Sequence, residues 1–289
     1  MAIFASHQQT HMPHISRLFI YPIKSLGGIV LPGAQVTTRG LQHDRRWVLV
    51  DPNNRFMSQR TTPPMALFAL QLTGEGIVVT HTPTQDVFIV PFTPQTQEQL
   101  TVTIWDDTCT GIRVSDAADA WFSRKLDLHC RLVYMDDASL RPVDPRYAKP
   151  EQITSFADAY PMLLIGEASL MDLNSRLTDP VGFDRFRPNI VISGTGPYHE
   201  DEMAHFSIGD IHFYGVKPCA RCVMVGVNQQ TAEVNAEPLK TLSGYRRFGK
   251  KVYLGQNLVH EGVGTISVGD ELQVINLDKE LLSKVSAPK

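Results

Sequence analysis

Three observations predict a β-rich α+β fold. Short runs rich in β-branched and aromatic residues, such as RRWVLVD, EGIVVTH, DVFIVPF and QLTVTIWDD, recur between turn residues. Only two or three segments have helical periodicity. Strands and helices do not alternate regularly, which argues against a doubly wound parallel sheet. The close spacing of the early strands has the rhythm of a meander or barrel.

Residues 1–13 are polar, bear histidines and end in Pro13, and read as a flexible arm. HISRLFIYPIKS predicts a strand that stops at Pro22. RRWVLVD, before the turn PNNR, predicts another, and three more follow at short spacing. SDAADAWFSRKL is the first helix: Ser115 can cap it, and Ala118, Trp121, Phe122 and Leu126 fall on one face. CRLVYM reads as a strand. A Pro- and Asp-rich loop over 136–153 is the expected seam between a first domain of 14–135 and a second of 136–277. GEASLMDLNSRL predicts a second helix with Leu170, Leu173 and Leu177 in one stripe. RPNIVISG, HFSIGDIHFYGV, CVMVGV and GTISVGDELQVI read as strands, and 278–289 as a tail that frays from a short helix.

The 289 residues are 43% hydrophobic and 20% charged, ordinary for a soluble globular protein. A net charge of -3 gives no bulk attraction to nucleic acid or anionic lipid, so any anion site must be local. Four cysteines in this length argue against a secreted disulfide scaffold. No signal peptide is visible, and no window approaches the ~18 apolar residues of a spanning helix. The expectation is a cytoplasmic protein with no membrane or nucleic-acid partner.

KPCARCVMVGV, at 217–227, places Cys219 and Cys222 three apart. A zinc site needs more ligands, and Cys109 and Cys130 lie far upstream, leaving His205 and His212 as candidates. A redox dithiol usually opens a helix, whereas VMVGV reads as a strand. Two buried thiols would be the bland reading. Pro218 suggests a turn, and Lys217 and Arg221 place positive charge beside the thiols, which favours a reactive thiolate. These readings stay open on the residues alone.

Lys24 and Ser25 in YPIKS could form a phosphate pocket or a solvated turn. Arg45 and Arg46, read as the start of a strand, would point to opposite faces, with Asp44 or Asp51 as possible partners. Arg185, Arg187 and Asn189, at alternate positions, would share one face suited to a phosphate and a heterocycle edge. The acidic Asp201 and Glu202 read as a solvated loop.

Taken in order, YPIKSLGG, GLQHDRRWVLVD, FADAYPMLLIGEASLMDLNSRL, FRPNIVISG, SIGD, PCARCVMVGV, EPLKTLSGYR and GTISVGDELQV resemble the MOSC family over residues 14–277. That family includes the amidoxime-reducing component of mitochondria, bacterial N-hydroxylamine-detoxifying proteins and the C-terminal domain of molybdenum-cofactor sulfurase. The resemblance implies an N-terminal β-barrel-like domain packed on a MOSC β-barrel with two or three helices. It implies molybdopterin with one molybdenum, bound by the thiolate of Cys222, with Cys219 a bystander. Lys24, Ser25, Arg45, Arg60, Arg187 and Asn189 match positions that contact the cofactor. Asn257 falls near the metal, where some relatives have Tyr. Met203 and the loop NQQTA depart from the family pattern.

The activity implied is reduction of N-hydroxylated compounds: hydroxylamines, amidoximes and N-hydroxylated bases. The chain lacks the four cysteines of an appended two-iron cluster. Electrons are therefore expected from a separate ferredoxin or flavin reductase, through a partner-borne iron–sulfur or flavin group. The alternatives are a sulfur-carrier or cofactor-handling protein that uses a cysteine persulfide, and a non-catalytic structural domain.

Overall fold

Alternation along HISRLFI sets the first strand, His14–Ile20, which buries Ile15, Leu18 and Ile20. A bulge between Ile15 and Arg17 accounts for the odd spacing of those positions. The structure is a computed structural model describing residues 12–282, so the expected arm and tail lie largely outside the described residues.

The first strand belongs to a nine-stranded sheet. Its order runs Gln273–Leu277, Met203–Ile208, Ile211–Arg221, Lys251–Glu261, Met162–Gly166, Ile190–Ser193, His14–Ile20 and Ile29–Leu31, with Arg247–Phe248 paired to Lys251–Glu261. The sheet curls toward closure: Leu272 N donates to Pro13 O at 2.7 Å and Ile15 N to Asp270 O at 2.8 Å. Ile15, Leu18, Leu164, Ile192, Phe206, Phe213 and Leu258 fill the interior. Phe206 and Phe213 stack at 5.3 Å; burying each stabilises by roughly 2–3 kcal/mol.

A second core lies under a four-stranded sheet (Trp47–Val50, Arg131–Tyr134, Asp107–Arg113, Gln99–Ile104) and a three-stranded one (Phe68–Leu72, Gly76–His81, Asp86–Pro91). The helix Asp116–Leu126 presses Trp121, Phe122 and Leu126 into it, with Ser115 Oγ accepting from Ala118 N as the sequence predicts. Gly33–Thr37 pairs with Gly264–Ser267, so early and late segments share a sheet here too. The helices Glu167–Asn174 and Leu239–Ser243 complete the β-rich α+β class.

Two local expectations give way. VMVGV is not a strand: Val223–Gly226 is a 3₁₀ turn that follows the long strand Ile211–Arg221. The acidic loop is not solvated: Glu200 and Asp201 are buried. Asp201 pairs with the buried Arg246. Glu200 accepts from Ser169 Oγ at 2.7 Å, while its Oε1 has no partner. Burial, reinforced by Asp201, pushes the Glu200 carboxyl up to about 7 from 4.5.

Glu200 thus holds a proton that the unfolded chain has released. Its contribution is complete below pH 4.5 and is lost as pH rises through about 7, a difference of roughly 3 kcal/mol. Urea unfolding between pH 5 and 8 should show wild-type stability falling relative to Glu200→Gln. Parallel pH profiles would refute this assignment.

Candidate functional site

Pro22 ends the first strand, and the chain turns at Lys24 and Ser25, the latter at φ 68°. Backbone bonds latch this turn to the segment of Asp44, Arg45 and Trp47. Lys24 N donates to Trp47 O at 2.8 Å, Trp47 N to Pro22 O at 3.1 Å and Arg45 N to Tyr21 O at 3.0 Å. Tyr21 N donates to Asp44 Oδ1 at 2.8 Å. Arg45 itself has φ 48° and precedes the strand Trp47–Val50, so the expected split of Arg45 and Arg46 across a strand does not occur. Arg45 pairs with Asp44 at 2.7 Å, and Arg46 turns away to Asp137 and Met135 O.

The expected common face of Arg185, Arg187 and Asn189 also fails. Arg185 closes a 3₁₀ turn, Phe183–Arg185, and donates to Val225 O at 3.1 Å. Arg187 has φ 57°, which breaks the strand alternation. Arg187 and Asn189 still meet at Arg45, which donates to Asn189 Oδ1 at 3.0 Å and Arg187 O at 3.1 Å.

The cysteine stretch ends the strand Ile211–Arg221. Pro218 lies inside that strand, not in a turn. It has no N–H for the ladder, and register shifts at Gly215/Lys217 and Pro218/Ala220 accommodate it. Cys222 follows as the first residue outside the strand and caps the turn Val223–Gly226. The expected charges do not converge on the thiols. Lys217 lies over the Tyr147 ring at 4.4 Å. Arg221 donates to Leu254 O at 2.8 Å and Phe186 O at 2.9 Å. Burial pushes the Cys219 thiol up despite Arg221.

One cleft, enclosing about 120 Å³, is lined by Lys24, Ser25, Arg45, Arg60, Arg187, Asn189 and Asn257. All the residues singled out for ligand contact other than Cys222 therefore meet there. Cys222 adjoins the cleft through Arg60, whose Nη2 donates to its Sγ at 3.1 Å. Trp105, Asp158 and Arg221 also line it. Arg60 is held over the Trp105 ring at 4.4 Å. Trp105, left 41% exposed, stands at the open mouth. Asp158 falls in the FADAYP stretch and Trp105 in QLTVTIWDD, but neither was singled out for ligand contact, since only the tertiary fold brings them to the cleft.

The lining is cationic: Lys24, Arg45, Arg60, Arg187 and Arg221 face one carboxylate, Asp158. Lys24 is buried and bonds Asp158 at 2.5 Å. Burial pushes Lys24 down, and Asp158 opposes that shift. Desolvation works against the Asp158 charge. The Lys24 ammonium, with hydrogen bonds from Lys24 and Trp105, outweighs it and holds the carboxyl well below its usual range. Asn189 is turned into the protein: Oδ1 accepts from Arg45 and Leu163 N, and Nδ2 donates one of its two hydrogens to Phe19 O. Its place is behind Arg45. Asn257 Nδ2 donates to Lys217 O at 2.9 Å.

Two guanidinium nitrogens, Nη2 of Arg187 and Nη2 of Arg221, are buried without a hydrogen-bond partner. Arg187 rests on the Tyr21 ring at 4.1 Å, and Arg45 lies 4.4 Å from the same ring. Burial pushes the Arg187 guanidinium down to about 10. Ser25, Arg45, Trp105 and Arg187 are four of the ten non-glycine residues with left-handed φ among the described residues, and all four line the cleft. Such backbone costs about 1–3 kcal/mol per residue and gathers where ligands bind.

Comparison with known proteins places this geometry. The MOSC N-terminal beta barrel domain matches residues 12–128, and the MOSC domain matches 151–273. The human protein named mitochondrial amidoxime-reducing component 1 is 32% identical over 279 residues, covering 90% of this chain and 82% of that one. Its mouse counterpart is 33% identical over the same shares. The chain belongs to the MOSC family. The rice molybdenum cofactor sulfurase is 29% identical over 86% of this MOSC chain, which spans 33% of that longer protein.

Among the described residues, no three His, Cys, Asp or Glu side chains are grouped to hold a metal ion. His205 Nε2 and His212 Nδ1 bond each other at 3.0 Å, so the pair proposed for zinc does not join the cysteines. No described helix is long and apolar enough to cross a membrane. The MOSC cleft instead has the Cys219 thiol in its lining, the Cys222 thiol at its edge and surplus buried cations.

A buried guanidinium without a counterion is destabilising. Arg187→Met should raise the stability of the protein without added ligand by about 1–2 kcal/mol, after allowing for the lost contact with Tyr21. Urea unfolding of wild type and variant measures this. A loss of stability would show that Arg187 is already compensated.

Proposed function

We propose that the chain binds molybdopterin carrying one molybdenum and reduces N-hydroxylated compounds with electrons from a separate protein. The observation that carries this reading is the cleft itself. Five cationic side chains line it, two with unpartnered buried donors, and a single arginine-bound thiol stands at its edge.

These residues fit the group. A phosphate is recognised best by planar guanidinium donors in a desolvated site, and Arg187 and Arg221 hold such donors in reserve. Lys24 and the left-handed turn at Ser25 add an ammonium and a hydroxyl. A soft thiolate suits a metal already held by sulfur ligands, and Cys222 supplies it. The enclosed 120 Å³ holds only part of such a ligand, and the mouth at Trp105 and Asp158 admits the rest. When bound, the cofactor supplies two-electron redox chemistry at its metal.

The chain orients and shields. Arg60, braced on Trp105, aims the Cys222 thiol. Asn189 holds Arg45, which backs Arg187. Asn257, beside Cys219 and Arg221 in the lining, stands where it can bias substrate choice. Substrates of the proposed class are hydroxylamines, amidoximes and N-hydroxylated bases. The human and mouse relatives named as amidoxime-reducing components support the reaction class.

Protein from a cofactor-competent host should contain about one molybdenum per chain by mass spectrometry. It should also reduce 6-hydroxylaminopurine when given a chemical reductant. Arg60→Ala should lower that activity about 10–100-fold, the range for a group that orients a metal ligand, and Cys222→Ser should lower it further. Well-folded protein without molybdenum, together with unchanged activity of Cys222→Ser, would sink the proposal. A persulfide on Cys222 in metal-free protein would favour a sulfur carrier instead.

A further inference from the structure

We infer that the exposed hairpin at 247–251 is the docking face for an acidic electron-donor protein. The inference rests on the reductase reading, which requires electrons from outside the chain. Residues 246–251 read RRFGKK. Arg246 is buried against Asp201, but Arg247, Lys250 and Lys251 are exposed. Gly249 takes φ 59° in a two-residue turn, and Arg247 pairs with Val252 and Phe248 with Lys251. The result is three cations on five residues at the tip of a two-stranded ribbon, in a chain of net charge -3.

Position gives the patch its meaning. Val252 pairs on its other side with Arg221, and Tyr253 with Ala220. Cys222 directly follows Arg221 and Lys251 directly precedes Val252, so the end of that ladder leads to the thiol on one strand and to the hairpin on the other. The hairpin is thus the surface element next to the thiol proposed to hold the metal. Val223, directly after Cys222, is 56% exposed and gives the same surface an apolar element.

The charges are also unspent. Arg113, Lys125, Arg146, Lys149 and Arg176 each pair with a carboxylate, whereas Arg247, Lys250 and Lys251 form no ion pair with any described residue. Uncompensated surface charge at one place steers a partner of opposite sign and fixes its orientation. A partner that presents carboxylates around its redox centre would be brought to the Cys222 end of the sheet.

The test uses the molybdenum-loaded protein with 6-hydroxylaminopurine and two electron sources. One is chemically reduced viologen; the other is an acidic two-iron ferredoxin with its flavin reductase. In the triple variant Arg247→Glu, Lys250→Glu and Lys251→Glu, the viologen-driven rate should stay within twofold of wild type. The kcat/KM for ferredoxin should fall at least tenfold, and the decline of that rate with added salt, present in wild type, should vanish. Equal ferredoxin kcat/KM in both proteins would overturn the inference, as would a parallel loss with viologen. Binding of wild type, but not the variant, to phosphatidylserine vesicles would reassign the hairpin to a membrane and also overturn it. A molybdenum-loaded wild type inactive with viologen would instead overturn the reductase reading beneath it.

Discussion

Two guanidinium groups share one buried ring, and only one of them has a carboxylate. Arg45 and Arg187 both lie against Tyr21, and Asp44 satisfies Arg45 alone. Burying a charge without a partner costs several kcal/mol even after relaxation. The surrounding fold must supply that energy, and it does so by rigid latching. The backbone bonds around Tyr21, Asp44 and Trp47 fix the segment from which Arg45 reaches both its carboxylate and the Arg187 carbonyl. Both arginines also have left-handed φ, a costly backbone that the surrounding contacts must hold. The cleft therefore gathers more buried positive charge than its one carboxylate matches.

That arrangement crosses the chain. Lys24, Arg45, Arg60 and Trp105 come from its first half, and Arg187, Arg221, Cys222 and Asn257 from its second. The first strand, His14–Ile20, is built into the large sheet beside Ile190–Ser193. Gln59 and Gln229 exchange amide hydrogen bonds, tying the turn at Ser25 to the loop after Cys222. The sequence NQQTA in that loop therefore has a structural task here: Gln229 ties it to Gln59 and, through Gln59, to the turn at Ser25. A ligand that bridges Arg187 and Lys24 would add to contacts that already hold the two halves together, so binding and global stability are coupled.

Much of this was legible in the residues. Period-two apolar runs marked the strands, and Ser115 with its four-residue stripe marked the helix, because local chemistry decides those features. The ordered segments from YPIKS to GTISVGD led to the cleft residues. Individual orientations were not legible. Arg45 and Arg187 were read as strand residues with alternating faces, yet both sit in left-handed turns, a conformation that sequence signals only at glycine or asparagine. Pro218 was read as a turn, but paired bulges let it remain within a long strand. Asp201, with Glu202, reads as part of a solvated loop, because its partner Arg246 is not near it in sequence. In each case a partner distant in the chain overrode the local pattern.

The two cysteines show how far such an override reaches. Their spacing makes them look equivalent, yet they stand on opposite sides of a strand terminus. Cys219 lies within the bulged ladder, where burial disfavours its charged form. Cys222 lies just beyond it, where the backbone leaves the sheet and Arg60 reaches its sulfur. The bulge between Pro218 and Ala220 breaks the alternation that would otherwise relate the two side chains. Gly255 then makes room behind them: it has φ 79°, and a Cβ there would fall 2.7 Å from Leu164 O and 3.3 Å from Arg221 Nη2. Only with that space open can Arg221 fold under the strand to bond Leu254 and Phe186, leaving the outer side of Cys222 free of its neighbour's guanidinium. A local departure from ideal strand geometry is thus what separates two thiols three residues apart, one in the bulged ladder and the cleft lining, the other beyond the strand with Arg60 on its sulfur.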